Sequence, residues 1–131
     1  MVIDTSAFVA IMLKEPDADS FLETIDAAAT RLMSAANVVE AGIVLTSRAG
    51  PDARGDLLDL IRAIGIEVVP VDLEQANLAL EAYRRFGRGN HPAGLNFGDC
   101  FAYALAEAHG EPLLFKGDDF SRTPIAAVLP R

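Results

Sequence analysis

Apolar and polar positions follow two rhythms along this chain, and the switches between them predict short strands alternating with amphipathic helices. Met1 to Asp4 is an apolar run closed by an acid, the pattern of a short buried strand. Thr5 or Ser6 is placed to cap a helix through Phe8, Val9, Ile11, Met12 and Leu13. Pro16 and Asp17 open a second helix, about Ala18 to Ala28, with Phe21, Leu22 and Ile25 inward. Thr30 to Ser34 predicts a second strand, and Ser34 caps a helix that Gly50 and Pro51 end. Asp52 starts a further helix with Leu57, Leu58, Leu60, Ile61 and Ile64 on one side, and Ile66 to Val71 a third strand. Asp72 caps a helix that turns Ala76, Leu78, Ala79, Ala82, Tyr83 and Phe86 inward. The stretch GRGNHPAGL then forms the longest irregular segment. Asn96 as cap and Gly110 as terminator bracket an almost wholly apolar helix. Pro112 to Phe115 predicts a fourth strand, and Ala126 to Leu129 a fifth at an edge.

Apolar strands joined through helices pair in parallel by right-handed crossovers, so the expected fold is a three-layer α/β/α domain with a central parallel sheet of four to five strands. One domain over residues 1–131 suffices. Ligands of such sheets bind beyond the carboxyl ends of the strands.

Acids collect at that edge. Asp4 ends the first strand, Asp118 and Asp119 follow the fourth, and Asp99 stands in the first turn of the apolar helix. Glu40 lies nearly two turns into a helix that also starts at this edge, among Val38, Val39, Ile43 and Val44. A first-turn acid also complements the helix dipole, so Asp99 alone has a purely structural use. Four carboxylates converging in a half-buried space call for a cation, and oxygen donors alone suit Mg²⁺ or Mn²⁺. Zinc is disfavoured, because His91 and His109 stand far apart with no ligand motif around them. A hard cation held by carboxylates, with its waters kept, predicts phosphodiester hydrolysis.

Composition narrows this further. With 51% hydrophobic and 23% charged residues the chain has the profile of a compact core-forming protein. Its net charge of −8 argues against binding nucleic acid over the whole surface but leaves a local site open. No apolar run is long enough to span a bilayer and MVIDTSAF lacks a basic leader, so the expected location is the cytoplasm, without membrane association. Cys100, the single cysteine, is read as a buried apolar residue.

MVIDTSAFVAIML, Glu40 within SAANVVEAGIV, GLNFGDCFAYALA and PLLFKGDDFSRT, in this order and spacing, resemble the PIN domain, and specifically the VapC toxins of type II toxin–antitoxin systems. The resemblance covers essentially the whole chain. It implies a metal-dependent endoribonuclease neutralised by a VapB-type antitoxin and commonly dimeric. By motif, Asp4, Glu40 and Asp99 match three of the family's acids, with Asp119, directly before Phe120, as the better match for the fourth and Asp118 as the alternative. Gly117 stands where many members carry another acid, which leaves a second metal position open. In this reading Asp4 and Asp99 hold the first Mg²⁺, and Glu40 either holds it through water or orients the attacking hydroxide. Ser6 either positions a carboxylate or phosphate or serves only as a cap, and Lys116 either contacts phosphate or pairs with one of the acids. Arg84, Arg85, Arg88 and His91 form the one local basic cluster available to an RNA backbone. Tyr83 and Phe86 are read as core, and the apolar face of the first two helices as a surface for the antitoxin or a second subunit. Two rivals are weighed: a phosphoacceptor switch of the response-regulator type, for which Asp72 is the sole third-strand aspartate, and a non-catalytic acidic binding module.

Overall fold

The computed structural model describes residues 1–128. Four parallel strands, β1 (Val2–Ile3), β2 (Leu32–Ser34), β3 (Glu67–Val69) and β4 (Leu113–Leu114), pair in the order β3-β2-β1-β4. Val2 stands opposite both Leu32 and Leu113, so β1 lies inside the sheet between β2 and β4. Six helices connect the strands: α1 (Thr5–Met12), α2 (Ala18–Asp26), α3 (Ala35–Ala49), α4 (Ala53–Ala63), α5 (Leu73–Phe86) and α6 (Phe97–His109).

Strand alternation sorts the core onto two faces. Ile3, Met33 and Leu114 point toward α1 to α4 and pack with Phe8, Ile25, Leu45 and Leu57. Val2, Leu32 and Leu113 point the opposite way, toward α5 and α6, and meet Ala102, Leu105 and Ala106. The three layers expected from the alternation of strands and helices are therefore present.

Element ends differ from the sequence expectation at several points. Each strand is two or three residues long, shorter than the apolar run that announced it. The fifth strand is reduced to a single bridge from Ala127 to Leu113, and Leu129 lies outside the described residues. Asp4, not Thr5 or Ser6, caps α1, its carboxylate accepting the Ser6 N–H at 3.0 Å. Asp52 precedes α4 without a side-chain cap bond. The loop 87–95 is pinned at its base: Leu95 is fully buried, its N–H donates to the Phe86 carbonyl, and Arg88 N–H donates back to the Leu95 carbonyl. Tyr83, expected in the core, is 43% exposed and donates its hydroxyl to the Arg88 carbonyl, whereas Phe86 is buried as expected.

The order of strands fixes where a site can form. From β1 the chain moves outward through β2 and β3, then returns to place β4 on the opposite side of β1. The direction of winding thus reverses between β1 and β4, and a crevice opens beyond their carboxyl ends.

Candidate active site

Asp4 follows β1 directly into that crevice. It is 3% exposed, and Oδ2 accepts both the Ser6 N–H and the Ser6 hydroxyl, the latter at 2.6 Å. The same hydroxyl accepts the Lys116 N–H at 2.9 Å, so the exit of β4 is tied to Asp4 through Ser6. Ser6 therefore positions a carboxylate. Asp4 Oδ1 is buried with no hydrogen-bond partner. Burial pushes the Asp4 carboxyl up to about 6 against the pull of Ser6, with a smaller push from the charge of Glu40.

Asp99 arrives from the other layer. In the first turn of α6 it closes a capping box with Asn96: Asp99 Oδ2 accepts the Asn96 N–H at 3.0 Å, and Asn96 Oδ1 accepts the Asp99 N–H at 2.9 Å. The dipole-and-cap role is real, but it does not exhaust the residue. Burial raises the Asp99 carboxyl to about 7 despite the Asn96 bond, and the charges of Asp4 and Asp119 add to the rise. Asp119, exposed after β4, is thus the neighbouring acid that bears on Asp99, and Asp118 is not among the groups acting on it. The Asp118 carbonyl instead takes the Ser121 N–H and hydroxyl in a tight turn.

Glu40 reaches the crevice from α3, with Oε1 3.4 Å from Asn37 Nδ2. Its carboxylate lies against the first turn of α6 at Gly98, where a Cβ would overlap it. The four acids expected from the sequence are thus brought to one edge, chained by charge: Glu40 acts on Asp4, and Asp4 and Asp119 act on Asp99. They do not form a closed cage, because among the described residues no three Asp, Glu, His or Cys stand close enough to hold an ion by themselves. The donor set nonetheless fits a divalent cation. It is all oxygen, two of its carboxyls are pushed up by lost hydration, and Asp4 Oδ1 is buried without the partner that such an oxygen normally has.

Other candidates fall elsewhere. Lys116 Nζ is held 3.1 Å from Asp17 and 3.5 Å from Glu15, so it pairs with acids outside the expected four. Arg84 pairs with Glu81, and Arg85 stands 3.8 Å from Glu107 with its guanidinium over the Phe86 ring. His91 packs edge-on against Phe86 and accepts the Ala93 N–H on Nδ1. Arg88, exposed beside Asn96 and Phe97, is the arginine of that cluster whose side chain makes no ion pair among the described residues. Cys100 is buried, its thiol pushed up to about 11 by desolvation. Asp72 caps α5 through the Gln75 N–H, which removes the aspartate that a phosphoacceptor switch would have needed. Sequence reasoning passed over Asn37 and Gly98; the one available signal was an amide within the apolar run of α3, one turn before Glu40.

The family model described as PIN domain matches residues 1–126. Ribonuclease VapC30 of Mycobacterium tuberculosis is 49% identical over 129 residues, covering 98% of both chains. Ribonuclease VapC of Mycolicibacterium smegmatis is 50% identical over 129 residues, covering 98% of this chain and 99% of the other. Among solved structures, VapC20 of Mycobacterium tuberculosis, described as a toxin cleaving the sarcin-ricin loop, superposes with a TM-score of 0.80 at 18% identity over 98% of each chain. A toxin–antitoxin complex from Klebsiella pneumoniae gives 0.72 at 15% identity, covering 99% of this chain and 97% of that one. At those identities the two structures speak for the fold.

Proposed function

This chain belongs to the VapC ribonucleases of the PIN-domain family, divalent-metal-dependent endoribonucleases, and from that premise we propose that it cuts RNA at the crevice of Asp4 and Asp99 with Mg²⁺ as its resident cation and Mn²⁺ able to replace it. The observation that carries the site assignment is Asp4 Oδ1, buried and unpartnered next to a second desolvated carboxyl. Asp4 and Asp99 would hold the ion. When bound, a divalent cation acidifies water and offsets charge on the leaving oxygen of a phosphodiester. Glu40, held by Asn37 against the first turn of α6, takes the proton of the water that attacks phosphorus. The bond from phosphorus to O3′ then breaks with its electron pair on O3′, which takes a proton from solvent water, leaving a 5′-phosphate and a 3′-hydroxyl. Asp119 shares the negative field around Asp99, and Ser6 fixes the Asp4 carboxylate for its task.

We assign the remaining partners by surface chemistry. Arg88 is the cation available to the RNA backbone on the α5 side of the crevice. An antitoxin of the VapB type fits the groove between α1, α2 and α4, about 870 Å³, lined by Ile11, Met12, Leu22 and Leu60 and by four acids, Glu15, Asp19, Asp56 and Asp59, against one cation, Lys14. That lining favours a basic, amphipathic segment. Val39 and Ile43 of α3 and Phe97 of α6 are each more than 60% exposed, an apolar surface suited to a second copy of the chain. Among the described residues no helix is long and apolar enough to cross a membrane, and a cytoplasmic site of action accords with an RNA substrate.

The test is cleavage of a mixed panel of end-labelled transfer, ribosomal and messenger RNAs with Mg²⁺, Mn²⁺ or EDTA, beside Asp4→Asn and Asp99→Asn purified identically. Metal-dependent cuts that leave 5′-phosphates, absent in both variants, are expected. Cuts that persist in either variant would remove the assignment.

A further inference from the structure

Asn37 is fully buried and donates in two directions from one nitrogen. Nδ2 lies 3.0 Å from the Gly98 carbonyl in the first turn of α6 and 3.4 Å from Glu40 Oε1. Its own backbone carbonyl accepts the Thr5 hydroxyl at 3.3 Å, at the start of α1 and one residue after Asp4. A single residue of α3 therefore touches the elements that carry Asp4, Glu40 and Asp99.

The orientation of the amide is fixed by chemistry. Turning it over would set Oδ1 against the Gly98 carbonyl and the Glu40 carboxylate, acceptor against acceptor. In the orientation adopted, Oδ1 is buried without a partner. An asparagine with one half unpaired is an unfavourable occupant of a fully buried position for stability alone. The position gains from the donor half, which faces Glu40.

Gly98 completes the arrangement from the other side. A Cβ there would overlap the Glu40 carboxylate, so the carboxylate occupies space that any other residue would fill. Asn37 thus holds Glu40 by a donor, and Gly98 gives it room against α6.

We propose that Asn37 and Gly98 are positioning residues for Glu40, fixing its carboxylate over the first turn of α6 in the place from which it acts on the attacking water. The proposal rests on the reading of Glu40 as the group that takes the proton. Asn37 and Gly98 act through Glu40 and do not themselves touch RNA.

The test is a pair of double-mutant cycles with the full-length protein: Asn37→Ala and Gly98→Ala, each alone and combined with Glu40→Gln, measured by kcat, KM and Mn²⁺ affinity. Each single variant is expected to lower kcat by about 10- to 100-fold, in the range typical of residues that orient a working group, with KM and Mn²⁺ affinity within about twofold of wild type. In the Glu40→Gln background neither substitution should lower kcat further. Gly98→Ala keeps the measurement decisive if Asn37→Ala does not fold, since the nearest atoms the added methyl meets are those at the movable end of Glu40. Unchanged kcat in the single variants, or an undiminished drop in the Glu40→Gln background, would overturn the positioning role. Wild-type kcat in Glu40→Gln alone would instead overturn the reading of Glu40 on which the proposal rests.

Discussion

At Asp99 one carboxyl both closes the capping box with Asn96 and carries charge into a place with little water. Asp4 likewise caps the head of α1, accepting the Ser6 N–H, while its carboxyl is buried. The consequence for stability has a definite sign. Both carboxyls titrate near 4 when exposed and at about 6 and about 7 in the fold, so between these values the folded protein binds more protons than the unfolded chain. Their contribution to stability is therefore full below pH 4 and is lost as pH rises toward 7. Each pKa unit corresponds to about 1.4 kcal/mol. Metal-free Asp99→Asn, whose amide oxygen can still accept the Asn96 N–H, should match wild type near pH 4 and exceed it by several degrees in melting temperature at pH 7.5. A gap that does not widen with pH would contradict the burial of this charge. Asp4, Glu40 and Asp99 were legible because an acid in an apolar run is conspicuous. Asn37 and Gly98 were not, because the bond that gives Asn37 its meaning spans 61 positions and Gly98 matters only through a side chain from another helix.

Among the elements, α6 and α5 were the clearest from sequence, since Asn96 and Gly110 bracket the first and Asp72 caps the second. Strand lengths were less legible. An apolar run marks what is buried, whereas a strand lasts only as long as its ladder, and the chain leaves the ladder at Asp4 and Ser34 to begin helices. The end of α5 shows how pairing changes the meaning of charge. Arg84 and Arg85 were read with Arg88 as one basic cluster, yet the first two are engaged by Glu81 and Glu107. Arg88→Ala should therefore weaken RNA binding and reduce the slope of its salt dependence by about 1, the value expected for one lost phosphate contact. Arg84→Ala should change neither by much. Binding isotherms between low and physiological salt check this, and equal effects in the two variants would return the cluster to a single undivided patch.

For the whole molecule, the reversal of winding between β1 and β4 brings acids from four parts of the chain to one edge. The same arrangement leaves Val39, Ile43 and Phe97 facing outward on α3 and α6. If that surface seats a second copy, Ile43→Asp should shift sedimentation of the protein from dimer to monomer without lowering its melting temperature. A dimer unaffected by the change would place the contact elsewhere. Burial strips water from the carboxyls of Asp4 and Asp99, and a cation bound there would stabilise the fold. The most direct test of this central claim is calorimetric titration of Mn²⁺ into wild type, Asp4→Asn and Asp99→Asn at pH 7.5, with no RNA present. The account predicts binding to wild type and its loss in both variants, which remain folded. Wild-type affinity in either variant would contradict it.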